Sequence, residues 1–154
     1  MKTPQAGFSV LEIIIVIVIL VLLSTLTFVS FSNLNKHEIL DKEALHVLSL
    51  IHEARSLTLS SREDSQYGVN FESDKMTLFK GASYSPGDPD NKIISIHPQV
   101  RISSIVLNGG GTAMIFKRLS GTTDNHGTTT LSLVGDTSQT KDITIFSTGI
   151  AEIR

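Results

Sequence analysis

The sequence predicts an α+β protein in which a long N-terminal helix, apolar in its first half and amphipathic in its second, packs on an antiparallel β domain. Three observations predict this. No glycine or proline interrupts residues 8–67, so an unbroken helix can run through that stretch. Leu40, Ala44, Val47 or Leu48, Ile51 and Ala54 recur at the i, i+3, i+4, i+7 spacing of a helix that buries one stripe. Beyond Ser61 the apolar period falls toward two, in short β-branched runs bounded by turn formers.

The elements follow in order. Residues 13–23 are uninterrupted Ile, Val and Leu, and continuing to Phe31 gives an uncharged stretch close to the ~20 residues that span a bilayer. The hydroxyls of Ser24, Thr25 and Thr27 can bond back to helix carbonyls and do not forbid insertion. The stripe from Leu40 to Ala54 leaves Lys36, Glu38, Lys42, Glu43, Glu53 and Arg55 largely off it, so this half is expected to cover a sheet. One helix from about Phe8 to about Ser61 would measure on the order of 80 Å. Strands are expected at 66–71, 75–80, 92–96, 101–107, 112–119, 128–134, 142–146 and 150–153. Glu72-Ser73-Asp74 and Ser147-Thr148-Gly149 have the composition of tight hairpin connections, 81–91 that of a longer loop, and Gly109-Gly110-Gly111 that of a turn. Four segments result: 1–7 a leader, 8–31 the apolar half of the helix, 32–62 the amphipathic half, and 63–154 a globular β domain.

The feature richest in functional content is Gly7-Phe8-Ser9-Val10-Leu11-Glu12 running directly into the apolar stretch. From Thr3 to Asn35 the only ionisable side chain is Glu12. A carboxylate placed in a bilayer core costs at least ~2.5–3.5 kcal/mol on insertion scales, so an acid there is read as functional and its partner is sought. A cut between Gly7 and Phe8 would create that partner. The new amino terminus would be Phe8, and Glu12 would lie one helical turn away on the same face.

With its short basic leader, Gly7, Phe8, Glu12 and long apolar run, the chain resembles the type IV prepilins and pseudopilins. Glu53-Ala54-Arg55, Tyr67-Gly68-Val69-Asn70-Phe71 and the closing 143–149 segment are similar, less specifically, to the H-type minor pseudopilins and related minor pilins. The resemblance implies a pilin-like fold with two antiparallel sheets behind the helix. It also implies cleavage after Gly7 by a membrane prepilin peptidase, N-methylation of Phe8, and an assembly role for Glu12, whose carboxylate would pair with the Phe8 amine of a neighbouring subunit. The implied partners are that peptidase, other pilin or pseudopilin subunits, and the assembly platform of the cytoplasmic membrane. The implied location is a single-pass protein of that membrane, with the C-terminal domain outside the cytoplasm, incorporated into a type IV pilus or a type II secretion pseudopilus. One departure is visible: many helices of the family carry a proline within the apolar stretch, and here none lies between Pro4 and Pro86.

Composition excludes other classes. Residues 65–154 hold eight basic and eight acidic residues, so no clustered basic excess is available to neutralise phosphates, and nucleic acid is not favoured as a partner. There is no cysteine, hence no disulfide and no thiolate metal site. His52-Glu53 lacks the second histidine of a zincin helix, Ser56 standing in its place. His37, His46, His97 and His126 have no metal-ligand spacing. Asp88, Asp90 and Asn91 offer oxygen ligands, but the twelve-residue calcium loop with its closing glutamate is missing. No nucleophile elbow occurs, and the triple glycine is followed by no Lys-Ser or Lys-Thr. Neither a catalytic residue, a metal site nor a cofactor is therefore expected, and the chain is read as a structural subunit, not an enzyme. The alternatives are a membrane-anchored ligand- or DNA-binding minor pilin, and a secreted protein behind an ordinary signal peptide whose mature chain would start at Asn33.

Overall fold

The computed structural model describes residues 7–154, apart from the side chains of residues 25–35. The expected leader therefore lies outside the described residues except for Gly7. The chain divides into two units, Met1–Lys36 and His37–Arg154. Helical backbone (α1) is assigned over Val10–Leu59, and eight strands follow it.

The predicted fold class needs correction. The fully described helical residues form two stretches of 15 and 24 residues, 10–24 and 36–59, in place of one long helix with two halves acting as one packed element. The second stretch packs on two four-stranded antiparallel sheets. The sequence reading rested on the absence of glycine and proline from 8–67. Between the two stretches lie Thr25, Thr27, Ser30, Ser32, Asn33 and Asn35, residue types that form helix less readily than alanine or leucine. Among the described residues no helix is long and apolar enough to cross a membrane. The stretch read as spanning, 8–31, runs past Ser24 into side chains outside the description.

In the second unit the first sheet has the order β3-β2-β1-β5, built from β1 (Tyr67–Phe71), β2 (Lys75–Lys80), β3 (Lys92–Ser95) and β5 (Ala113–Ile115). The second has the order β4-β6-β7-β8, built from β4 (Val100–Leu107), β6 (Gly127–Leu133), β7 (Asp136–Ile145) and β8 (Ala151–Ile153). The chain thus changes sheet between β3 and β4, between β4 and β5, where the triple glycine lies, and between β5 and β6. Neighbouring strands within each sheet are antiparallel.

One core joins helix and sheets. Leu40, Ala44, Val47, Ile51 and Ala54 meet Val69, Phe71, Met76 and Met114 from the first sheet and Ile102, Leu131, Ile143 and Ile145 from the second. The helix alternates three- and four-residue steps because that spacing keeps one stripe turned inward. Its flanks are tied to different sheets: Glu53 pairs with Lys92 of β3 at 2.8 Å, and Asp41 with Lys141 of β7 at 2.8 Å. Both pairs are half exposed and contribute little individually. Thr58 ends the stripe. Its hydroxyl donates to the Ala54 carbonyl at 2.9 Å and accepts from the Tyr67 N–H at 2.9 Å, joining the last helical turn to β1.

Between them Ser61, Glu63 and Asp64 all adopt left-handed backbone, with φ of 48°, 53° and 55°, a conformation that costs non-glycine residues energy. Two ion pairs reach out of this turn, Glu63 to Lys80 and Asp64 to Arg118. The hydrogen bond and charge of Lys80 hold the Glu63 carboxyl below the usual carboxylate range.

On the first sheet's other face, Phe79 lies across from Gly68, where a Cβ would come within 2.5 Å of the ring. Tyr84, from the loop after β2, tilts over Phe79 with ring centroids 5.4 Å apart.

Candidate functional site

The residues singled out by the sequence lie at the start of the first unit. Gly7 and Phe8 precede the helix, Gly7 with no described atom within 4 Å of where a Cβ would sit and Phe8 81 % exposed. Ser9 receives the first helical hydrogen bonds on its carbonyl, from the N–H of Glu12 at 3.1 Å and of Ile13 at 3.2 Å. Glu12 sits in the first turn. The structure brings two of the three predicted residues together: Phe8 and Glu12 line a shallow groove of about 280 Å³ with Ile13, Val16 and Ile17. Among the described residues the Glu12 carboxylate has no hydrogen-bond or ion-pair partner, and it is the one acid in an apolar lining.

The spacing Ser9-x-x-Glu12 ahead of an apolar run is also that of a capping box, a signal the reading of the motif passed over. An acid in the first turn is favoured by the helix dipole by about 0.3–1 kcal/mol. That is smaller than the ~2.5–3.5 kcal/mol an unpaired carboxylate costs in a bilayer core. Helix entry alone therefore does not account for an acid beside an apolar surface of this extent.

The extent is large. Residues 13–23 are each between 50 and 60 % exposed, the value of side chains that touch only their own helical neighbours. Eleven consecutive apolar residues cover every side of a helix. Covering what remains exposed is worth roughly 1 kcal/mol per residue, on the order of 10 kcal/mol in all. That rivals the whole stability of a small domain, so the segment requires lipid or other protein around it. Ser24 is compatible with either, its hydroxyl donating to the Leu20 carbonyl at 2.7 Å.

The motif residues read from the second unit are brought together elsewhere. Arg55, at the helix end, donates from Nε to the Gly121 carbonyl at 3.1 Å. Gly149, from the turn between β7 and β8, packs on the same place with φ of 78°, and a Cβ there would fall 1.9 Å from the Gly121 oxygen. His52, Arg55, Ser56, Leu59, Ser60 and Ile150 line an open groove of about 690 Å³ at this junction. The sequence reading treated Glu53-Ala54-Arg55 and the closing segment only as marks of resemblance. Their contact joins segments separated by seven strands, for which no local pattern exists.

No family model, no curated protein and no solved structure matches the chain. The reading of its function therefore rests on its own residues.

The remaining candidates gain no chemistry from the fold. Among the described residues no three His, Asp or Glu side chains are grouped so as to hold a metal ion. In the loop after β2, Asp88 Oδ1 accepts from the Asp90 N–H at 2.9 Å, and the Asn91 amide donates to the Ser85 carbonyl at 2.9 Å. These groups shape the turn themselves.

Proposed function

We propose that the chain is a structural subunit, a minor one, of a type IV pilus or a type II secretion pseudopilus. It is made as a precursor, cut between Gly7 and Phe8 by a prepilin peptidase, methylated at the Phe8 amine, and held in the cytoplasmic membrane by its N-terminal apolar segment until it joins a filament. The second unit stands outside the cytoplasm. The observation that carries this reading is an apolar surface exposed on every side of residues 13–23 and headed by a lone carboxylate at Glu12. Such a surface is satisfied by lipid before assembly and by equivalent segments of neighbours after it. A contact repeated head to tail without closing gives an open helical fibre. In the fibre the Phe8 amine of one subunit meets Glu12 of the next, which sets the axial register.

Cleavage matters to this scheme because with Gly7 attached the Phe8 nitrogen is an uncharged amide. Only the cut chain presents a cation to the acid. Mass spectrometry of protein coexpressed with its cognate peptidase tests the proposal. The expected mature chain begins at Phe8 and is heavier by one methyl group. An intact precursor, or a chain starting at Asn33 as an ordinary signal peptide would leave it, overturns the reading.

A further inference from the structure

We propose that the groove formed by His52, Arg55, Ser56, Leu59, Ser60 and Ile150 binds a carboxylate carried on an apolar peptide segment of a partner protein, with the Arg55 guanidinium as its anchor. This goes beyond the filament reading and does not rest on it.

The anchor is built into the fold. Arg55 Nε is fixed by its hydrogen bond to the Gly121 carbonyl at 3.1 Å. Two glycines leave room for it: a Cβ added at Gly121 or Gly149 would lie 3.2 or 3.1 Å from Nε. With Nε committed, the two terminal nitrogens remain as donors, and no hydrogen bond within the described residues uses them. A guanidinium held by one edge is pre-organised to present the rest of its fork to a carboxylate, at a smaller entropic cost than a free side chain.

Its charge is unclaimed. Arg62, Arg118 and Arg154 each pair with a carboxylate, to Glu63, Asp64 and Glu152 respectively, whereas Arg101 on β4, like Arg55, has no such pair among the described residues. Arg55 has no such partner among the described residues, and no acid lines the groove. Ser56 adds a hydroxyl and His52 a ring N–H, both suited to an oxyanion, while the Ser60 hydroxyl already donates to the Leu57 carbonyl at 3.0 Å.

The rest of the lining selects the carrier. Leu59 is 41 % exposed and Ile150 52 % exposed, so an occupant with apolar groups beside its carboxylate gains contacts that inorganic phosphate or a nucleic-acid backbone does not. A nucleic acid needs several cations in a row, whereas Arg55 is the groove's one permanent charge. The groove is open to solvent, which suits a passing chain better than a small metabolite that a pocket would enclose.

The test is an NMR titration of the full ¹⁵N-labelled chain in detergent micelles. The probes are acetyl-Leu-Glu-Leu-amide, its Leu-Gln-Leu counterpart, and inorganic phosphate. The glutamate peptide is expected to shift the amides of Arg55, Ser56, Ser60 and Ile150 saturably, and to bind about ten-fold or more tighter than the glutamine peptide, as a charge-assisted pair requires. Phosphate alone is expected to bind more weakly than the glutamate peptide. Arg55→Gln should abolish the difference between the two peptides. Should that variant lose its folded spectrum, Ile150→Ser decides instead, lowering affinity for the glutamate peptide several-fold with the fold intact. Equal shifts from the two peptides, phosphate binding as tightly, or no saturable shift up to roughly 5 mM overturns the proposal.

Discussion

Glu12 and Gly149 are single residues whose surroundings leave little freedom, for opposite reasons. Glu12 has an apolar lining and no partner among the described residues, and in the proposed filament it meets the Phe8 amine of a neighbouring subunit. Glu12→Ala should leave membrane insertion and leader cleavage largely intact, since removing a carboxylate makes the segment more favourable in lipid. Entry into filaments should fall sharply, because the amine of a neighbouring Phe8 would then lie unpaired in a poorly solvated place. Comparing processed protein in membranes with subunits in sheared filaments measures this, and wild-type recovery of the alanine variant would remove the register role. Gly149 is confined by its own fold, with φ of 78° and the Gly121 oxygen 1.9 Å from where a Cβ would sit. Gly149→Ala should destabilise the protein by about 2–4 kcal/mol, combining left-handed strain with a backbone clash. Gly87 has a similar φ of 83° but nothing within 4 Å, so Gly87→Ala should cost only about 1 kcal/mol. Urea unfolding of both variants separates the two contributions, and equal midpoints would contradict the clash.

Strands were more legible than helices at the scale of elements, because a short β-branched run bounded by turn formers carries both its period and its ends. The run 75–80 was read with the bounds β2 has, and Glu72-Ser73-Asp74 does connect β1 to its antiparallel partner β2. The first half of β7 escaped, since Asp136-Thr137-Ser138-Gln139-Thr140-Lys141 shows no apolar alternation. It is a strand because β6 pairs with it, Ser132 opposite Thr140 and Leu131 opposite Lys141, and such pairing overrides local propensity. The opposite error was made at 112–119, of which only Ala113–Ile115 is strand. There the chain must leave the first sheet, and Leu119 turns it with φ of 67°. Division into two sheets was unreadable from composition, because partner choice is a long-range property. Of the two grooves, the one at Phe8 and Glu12 could be anticipated because those two residues lie about a helical turn apart, while the Arg55 groove could not because its parts are distant in sequence. The joint between helix and β1 rests on Thr58, fully buried and bonded on both sides. Thr58→Val keeps the volume but strands the Tyr67 N–H, so a loss of about 1–3 kcal/mol is expected. Amide exchange at Tyr67 should accelerate along with it; an unchanged rate and midpoint would show that the hydroxyl contributes nothing.

For the whole molecule, the division after Lys36 separates two kinds of surface. Among the described residues every member of the buried core, from Leu40 to Ala151, belongs to the second unit. The described residues of the first unit add no side chain to that core, and residues 13–23 leave half or more of their surface exposed. Removing the first unit leaves every described core side chain in place, while it eliminates on the order of 10 kcal/mol of apolar exposure. Apart from Leu59 and Ile150, which share one groove, what stays exposed on the second unit includes Leu45, Ile93, Val106 and Leu119 on different elements, and single apolar residues of this kind are normal for a soluble surface. The fragment His37–Arg154 should accordingly be a monomer in detergent-free buffer, with the circular dichroism of a mixed helix and sheet protein and one cooperative thermal transition. The full chain should need detergent or lipid to remain dispersed, and should associate through its first unit when they are withdrawn. Size-exclusion chromatography of both, with and without detergent, decides the matter. A fragment that aggregates or shows a disordered spectrum would mean that the core depends on residues 1–36. A full chain that stays monomeric without detergent would mean that its apolar segment is already covered, and with that the argument for lipid or neighbouring subunits fails.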